Sequence, residues 1–241
     1  MVLLRQPSPH RMILQYHPQI GHLFVPNQTA RIPSETGGYL IRTNAQGFRS
    51  DVDFVPTEGE RPRILFLGDS FTAGDGVAND ERFSEYIGQA TGAEVYNMAV
   101  SGTGTDQQVL IYEQFGAALP ADLIVFCVNV VNIERNKHTH RESVDRTTGG
   151  RVRVPKPYFT LENGELVRGH DPVPRERPPV PTGVNSDGGA MDAIKQVYNH
   201  PSMAPLRDLF RKSGLRGTVK RNMDPYPDYA DENSDGWQLM A

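Results

Sequence analysis

The chain is 241 residues long and carries 25 Lys and Arg against 29 Asp and Glu, a formal net charge of −4 at pH 7. That length suits one α/β domain, or one domain with a sizeable insertion, whose core needs no disulfide or metal staple. The balance gives no basic surface for nucleic acid or anionic lipid. The single cysteine, Cys127, excludes an intrachain disulfide and a multi-cysteine zinc site.

Apolar residues at 37% and charged residues at 22% are ordinary globular values, while 23 Gly and 19 Pro predict long irregular stretches. The longest strongly apolar run, 123–128, is far short of the ~20 residues that a membrane helix needs. No apolar stretch follows a basic start at the N-terminus, so no secretory signal and a cytoplasmic protein are expected. Nothing in the pattern calls for a cofactor or a metal.

Residues 1–60 read as an irregular or β-containing extension. A strand is predicted over 39–43, then a turn over 44–47 in which Gly47 supplies a positive φ before Phe48. From residue 63 the pattern changes. The apolar run 64–67 ending in Gly68 reads as a strand buried on both faces. Asn79-Asp80 can cap a helix with apolar positions Phe83, Tyr86, Ile87 and Ala90, closed by Gly92. A second strand is expected over 94–100. Thr105-Asp-Gln-Gln108 has capping-box spacing ahead of Val109, Tyr112 and Phe115, and Pro120 stops that helix. A third strand is expected over 123–131. Strand, helix, strand, helix, strand makes two βαβ units and a parallel sheet with helices on its faces.

Beyond that, 137–232 reads as an insertion. It contains a hairpin over 158–167 turning at Asn163-Gly164 and an extended Pro-rich stretch over 171–181. Short helices are expected around 191–198 and 206–212. A further helix is beginning at 234 where the chain stops, which predicts that the remainder of a domain, 61–241 being its front part, lies beyond residue 241.

Three strand ends carry the chemistry. Gly68-Asp-Ser70-Phe-Thr-Ala-Gly74 puts a serine at the C-terminal end of the first parallel strand, where open α/β sheets build their sites. Asn97-Met-Ala-Val-Ser-Gly102-Thr-Gly104 puts glycine at the end of the second, letting a backbone N–H approach a ligand. It lacks the third glycine and the acidic residue of a dinucleotide fingerprint. Val128-Asn129-Val-Val-Asn132 puts two asparagines at the end of the third. They lie three positions apart, so on a regular strand they point to opposite faces and only one joins a shared cleft. The first strand is expected between the other two.

Taken together, these three segments resemble the SGNH (GDSL-type) hydrolase family. Gly68-Asp69-Ser70 with Gly74 is similar to its first block, Asn97 to Thr103 to its second, and Asp122 to Asn132 to its third. Val131 and Ile133 stand where the third block usually has Gly and Asp. Thr43-Asn-Ala-Gln-Gly-Phe-Arg49 and Lys156-Pro-Tyr-Phe-Thr-Leu-Glu-Asn-Gly164 are similar to flanking segments of larger bacterial members. The resemblance implies a flavodoxin-like three-layer α/β/α fold, Ser70 as nucleophile, and Gly102 and Asn132 as oxyanion donors. Asn132 is preferred to Asn129. It implies an esterase acting on an O-acyl or O-acetyl bond of a small molecule, carbohydrate or lipid.

The family's Asp-x-x-His is missing. Three residues before His10, His17, His22, His138, His140, His170 and His200 lie Pro7, Leu14, Gln19, Arg135, Lys137, Val167 and Val197. A serine without a base is a poor nucleophile at neutral pH, so residues 1–241 alone are expected to be nearly inactive. His138 and His140 follow the third strand and read as solvated loop residues. Alternative readings are an O-acyltransferase acting on a polysaccharide, a non-catalytic binding or assembly module, and a nucleotide-binding flavodoxin-like domain, for which Ser and Asn make no phosphate cradle. An Asp-x-x-His downstream would favour the enzyme. Substrate and oligomeric state are left open by the sequence.

Overall fold

A computed structural model describes residues 13–33, 38–56, 61–145 and 150–176. The helices expected at 191–198, 206–212 and 234 onward lie outside the described residues, as does most of the Pro-rich stretch.

The N-terminal segment is more regular than its sequence suggests. Strands β1 (Leu14–His17) and β2 (Gly21–Phe24) form one antiparallel hairpin, and β3 (Thr29–Ile32) and β4 (Tyr39–Arg42) form another. Each strand has only four residues, too few to show alternation. The turn before Phe48 forms as expected, with Gly47 N donating to Asn44 O at 3.1 Å. Gly47 has φ +82°, and a Cβ there would stand 2.7 Å from Phe24 O. Phe48 is buried against Phe54 and Phe115.

Strand β5 (Arg63–Gly68) has all six residues buried. It is followed by the short helix α1 (Ser70–Ala73), a 3₁₀ turn over Asn79–Glu81, and α2 (Phe83–Thr91), which Gly92 ends in the left-handed conformation. The inward face of α2 differs from the expected one. Phe83, Tyr86 and Ile87 are exposed, and Ser84 and Gly88 are buried. A Cβ on Gly88 would lie 2.7 Å from Val95 Cγ2, so the helix is seated too close to the sheet for a larger residue.

Strand β6 (Glu94–Asn97) pairs parallel with β5, α3 (Thr105–Ile111) follows, and β7 (Leu123–Cys127) pairs parallel with β5 on its other side. The sheet order is β6-β5-β7, with the first of the three strands between the other two as expected. The described chain is thus an α/β structure with one three-stranded parallel sheet, and none of its helices is long and apolar enough to cross a membrane. Among the described residues β7 is an edge, and Leu123, Phe126 and Val128 are exposed there. Helix α3 is capped by Gly104, whose N–H donates to Gln107 Oε1, one residue earlier than the Thr105 spacing suggested.

Helix α4 (Asn132–Asn136) leads into two further hairpins, β8 (His140–Val144) with β9 (Arg151–Pro155) and β10 (Tyr158–Glu162) with β11 (Glu165–Gly169). The second turns at Asn163 and Gly164, both with positive φ, as the Asn-Gly pair demands. The buried ion pair between Lys156 and Asp106 fastens these hairpins to the start of α3.

Candidate functional site

The first two loops are held to each other through the last carbonyl of β5. Gly68 O accepts from Val100 N at 3.2 Å and from Thr103 Oγ1 at 3.2 Å. Gly68 itself has no room for a side chain, because a Cβ would fall 2.2 Å from Thr72 Oγ1. This close packing of α1 onto the strand end sets the turn that carries Ser70.

Asp69 is the N-cap of α1, its Oδ1 accepting from Phe71 N at 3.0 Å. Ser70 is the first residue of that helix and half-buried. Its N–H lies in the first turn, where no intrahelical acceptor exists. Among the described residues its hydroxyl has no hydrogen-bond partner.

Three side chains fix the turn from outside. Asn97 Nδ2 donates to Thr72 O at 2.8 Å and to Ser84 Oγ at 2.9 Å, tying α1 to α2. Ser101 Oγ donates to Asp75 Oδ1 at 2.6 Å. Arg49 donates from Nη1 to Ala73 O and Gly74 O, at 2.7 and 2.6 Å, and from Nη2 to Val77 O at 2.7 Å. Its guanidinium is buried against carbonyls, and burial lowers its pKa to about 10. The Asn-Ala-Gln-Gly-Phe-Arg segment therefore clamps the chain that leaves Ser70.

Gly102 has φ +83°, the left-handed region that favours glycine. Arg141 Nη1 lies 3.1 Å from where its Cβ would be, so β8 covers this loop. Next to it, His22 Nε2 stands 3.0 Å from Ser101 O.

Asn132 is placed differently from the strand-parity argument. Strand β7 ends at Cys127, so neither asparagine lies on it. Asn129 Oδ1 accepts from Val131 N at 3.1 Å in a local turn. Asn132 opens α4 and is completely buried. Its Oδ1 accepts from Arg135 Nη1 at 3.2 Å, and its Nδ2 has no partner among the described residues. A buried amide N–H₂ without an acceptor costs on the order of 1–3 kcal/mol, which a ligand oxygen would recover.

The histidines contribute no base of the expected form. His138 is exposed, as a loop residue would be. His140 instead sits half-buried beside the His170 ring, at 5.4 Å between centroids, and Tyr158 packs on His170 at 5.0 Å. Burial, then the His170 and Arg153 charges, lower the His140 pKa. Among the described residues no group of three His, Cys, Asp or Glu side chains is gathered to hold a metal ion.

Ser70, Gly102 and Asn132 thus follow the C-terminal ends of β5, β6 and β7. Asn97, Thr103 and Arg135 bind the segments that follow these strands to one another, and the sequence pattern does not mark the side-chain bonds by which they do so. No family model matches the chain, and no curated protein matches its sequence.

Proposed function

We propose that this chain carries the nucleophile and oxyanion donors of an SGNH-type serine esterase. The observation that carries the reading is Asn132. It is a fully buried side-chain amide after the third strand, with its acceptor atom engaged and its donor atom without a partner among the described residues. A site that stabilises a developing negative oxygen needs such a donor, preorganised and out of water. The order β6-β5-β7, with Ser70 after the middle strand and Gly102 and Asn132 after its neighbours, supports the same reading.

In the reaction the Ser70 hydroxyl oxygen attacks the ester carbonyl carbon and loses its proton to a general base. The carbonyl oxygen becomes an oxyanion held by Ser70 N–H, Gly102 N–H and Asn132 Nδ2. Collapse breaks the ester C–O bond, the alcohol leaves with the proton, and water releases the acyl group from Ser70. The 241 residues do not supply the base as Asp-x-x-His. The test is labelling of the full-length protein with a fluorophosphonate, comparing wild type with Ser70→Ala. Labelling of wild type alone supports the assignment, and equal labelling of both removes it.

A further inference from the structure

One nitrogen joins all three strand ends. Arg135 Nη1, in the last turn of α4, lies 2.7 Å from Asp69 Oδ2, 2.9 Å from Thr103 O and 3.2 Å from Asn132 Oδ1, so its two N–H protons are shared among three acceptors. These partners follow β5, β6 and β7 in turn. The Asp69 carboxylate is 1% exposed, whereas the arginine side chain is 31% exposed, so the cation reaches inward from the rim.

We infer that Arg135 is a positioning residue that sets which atom of the Asn132 carboxamide faces the reacting oxygen. A carboxamide carries an acceptor and a donor of nearly equal size, and a half-turn exchanges them. A guanidinium only donates, so the atom facing Arg135 must be Oδ1. Nδ2 is then turned the other way, where it is buried and has no partner among the described residues. Without the guanidinium that choice is not held among the described residues, where Oδ1 has no other partner. The flipped amide would present oxygen lone pairs to the oxyanion and repel it. Asp69 fixes Arg135 in turn, which gives the Asp of Gly-Asp-Ser a second task beside capping α1.

This inference rests on the Ser70 reading, and a double-mutant cycle on fluorophosphonate labelling of the full-length protein separates the two. Asn132→Ala removes an oxyanion donor and is expected to slow labelling ~10²–10³-fold. Arg135→Gln is expected to slow it ~10–100-fold, and Arg135→Lys, which keeps a charged donor, to recover most of that loss. In the Asn132→Ala background Arg135→Gln should add no more than about threefold, because the residue acts through Asn132. Thermal unfolding checks that each variant is folded. As a readout independent of reaction, the Asn132 side-chain amide signals in a ¹⁵N spectrum should shift in Arg135→Gln and return toward wild type in Arg135→Lys. Labelling of Arg135→Gln at the wild-type rate, or effects of Arg135 and Asn132 that multiply in full, overturns the positioning role while leaving Ser70 as nucleophile. Equal labelling of wild type and Ser70→Ala overturns both.

Discussion

Lys156→Met is the most informative perturbation of the scaffold. Lys156 and Asp106 are each 3% exposed, and Lys156 Nζ also donates to Pro157 O at 2.9 Å. Methionine keeps most of the volume and removes the charge, leaving the Asp106 carboxylate buried with backbone N–H donors, Gln107 N at 2.8 Å among them, but without its cation. Breaking one side of a buried pair costs ~3–5 kcal/mol. At ~2–4 °C per kcal/mol for a domain of 150–250 residues, the midpoint should fall ~6–20 °C. The loss has a pH signature. Burial already pushes the Asp106 carboxyl up, and Lys156 opposes that shift. With Lys156 gone the folded-state pKa rises further above its unfolded value near ~4. A raised folded pKa gives stability that is present below the unfolded pKa and lost as pH rises through the folded one. The deficit of the variant should therefore grow above pH ~4 and shrink in acid. Adding Asp106→Leu removes the orphaned charge and should restore a large part of the midpoint. Urea or thermal unfolding between pH 3 and 8 checks this. A Lys156→Met protein within ~0.5 kcal/mol of wild type at pH 7 would refute the reasoning, since that is the scatter of an ordinary surface change.

Gly68→Ala should destabilise the chain by ~1–3 kcal/mol through overpacking against Thr72, and Thr72→Ala in the same chain should relieve it; chemical denaturation of the three variants measures both. On the proposed reading, residues 1–241 should turn over p-nitrophenyl acetate at most marginally, because they contain no Asp-x-x-His and the lack of a triad base costs on the order of 10⁴–10⁶ in rate. Turnover like that of a competent esterase would reveal an unrecognised base. Burial lowers the pKa of both His17 and His140 from the usual 6.5. The folded state thus prefers them neutral, and their contribution to stability is lost as pH falls from 6.5 through the folded values. Ring-proton NMR titration should give midpoints below 6.5 for both; a midpoint at or above it contradicts the burial argument.

What could be read from the sequence was what local chemistry decides. The run Ile64-Leu-Phe-Leu67 is short and ends at Gly68, which favours a strand covered on both faces, and Asn163-Gly164 is a turn by its backbone preferences. That β5 lies between β6 and β7 is what three strand ends serving one cleft require, parallel neighbours being ~4.8 Å apart. The stripe Phe83, Tyr86, Ile87 misled because burial of α2 is governed by how closely it approaches Val95, which selects Ser84 and Gly88. The strand-parity argument for Asn132 failed in its premise, since β7 stops at Cys127 and a helix turn delivers the side chain. Arg135 was illegible because its bonds to Asp69 and Thr103 span 66 and 32 positions, and nothing in Asn-Ile-Glu-Arg marks the arginine as the link.

The central claim is that Ser70, Gly102 and Asn132 serve one reacting oxygen. The most direct measurement is a crystal structure of the full-length protein after reaction with an organophosphonate. The account predicts a covalent bond to Ser70 Oγ and a phosphonyl oxygen ~2.7–3.1 Å from Ser70 N, Gly102 N and Asn132 Nδ2 together. An adduct on another residue, or a phosphonyl oxygen turned to solvent with Asn132 Nδ2 unengaged, would contradict it.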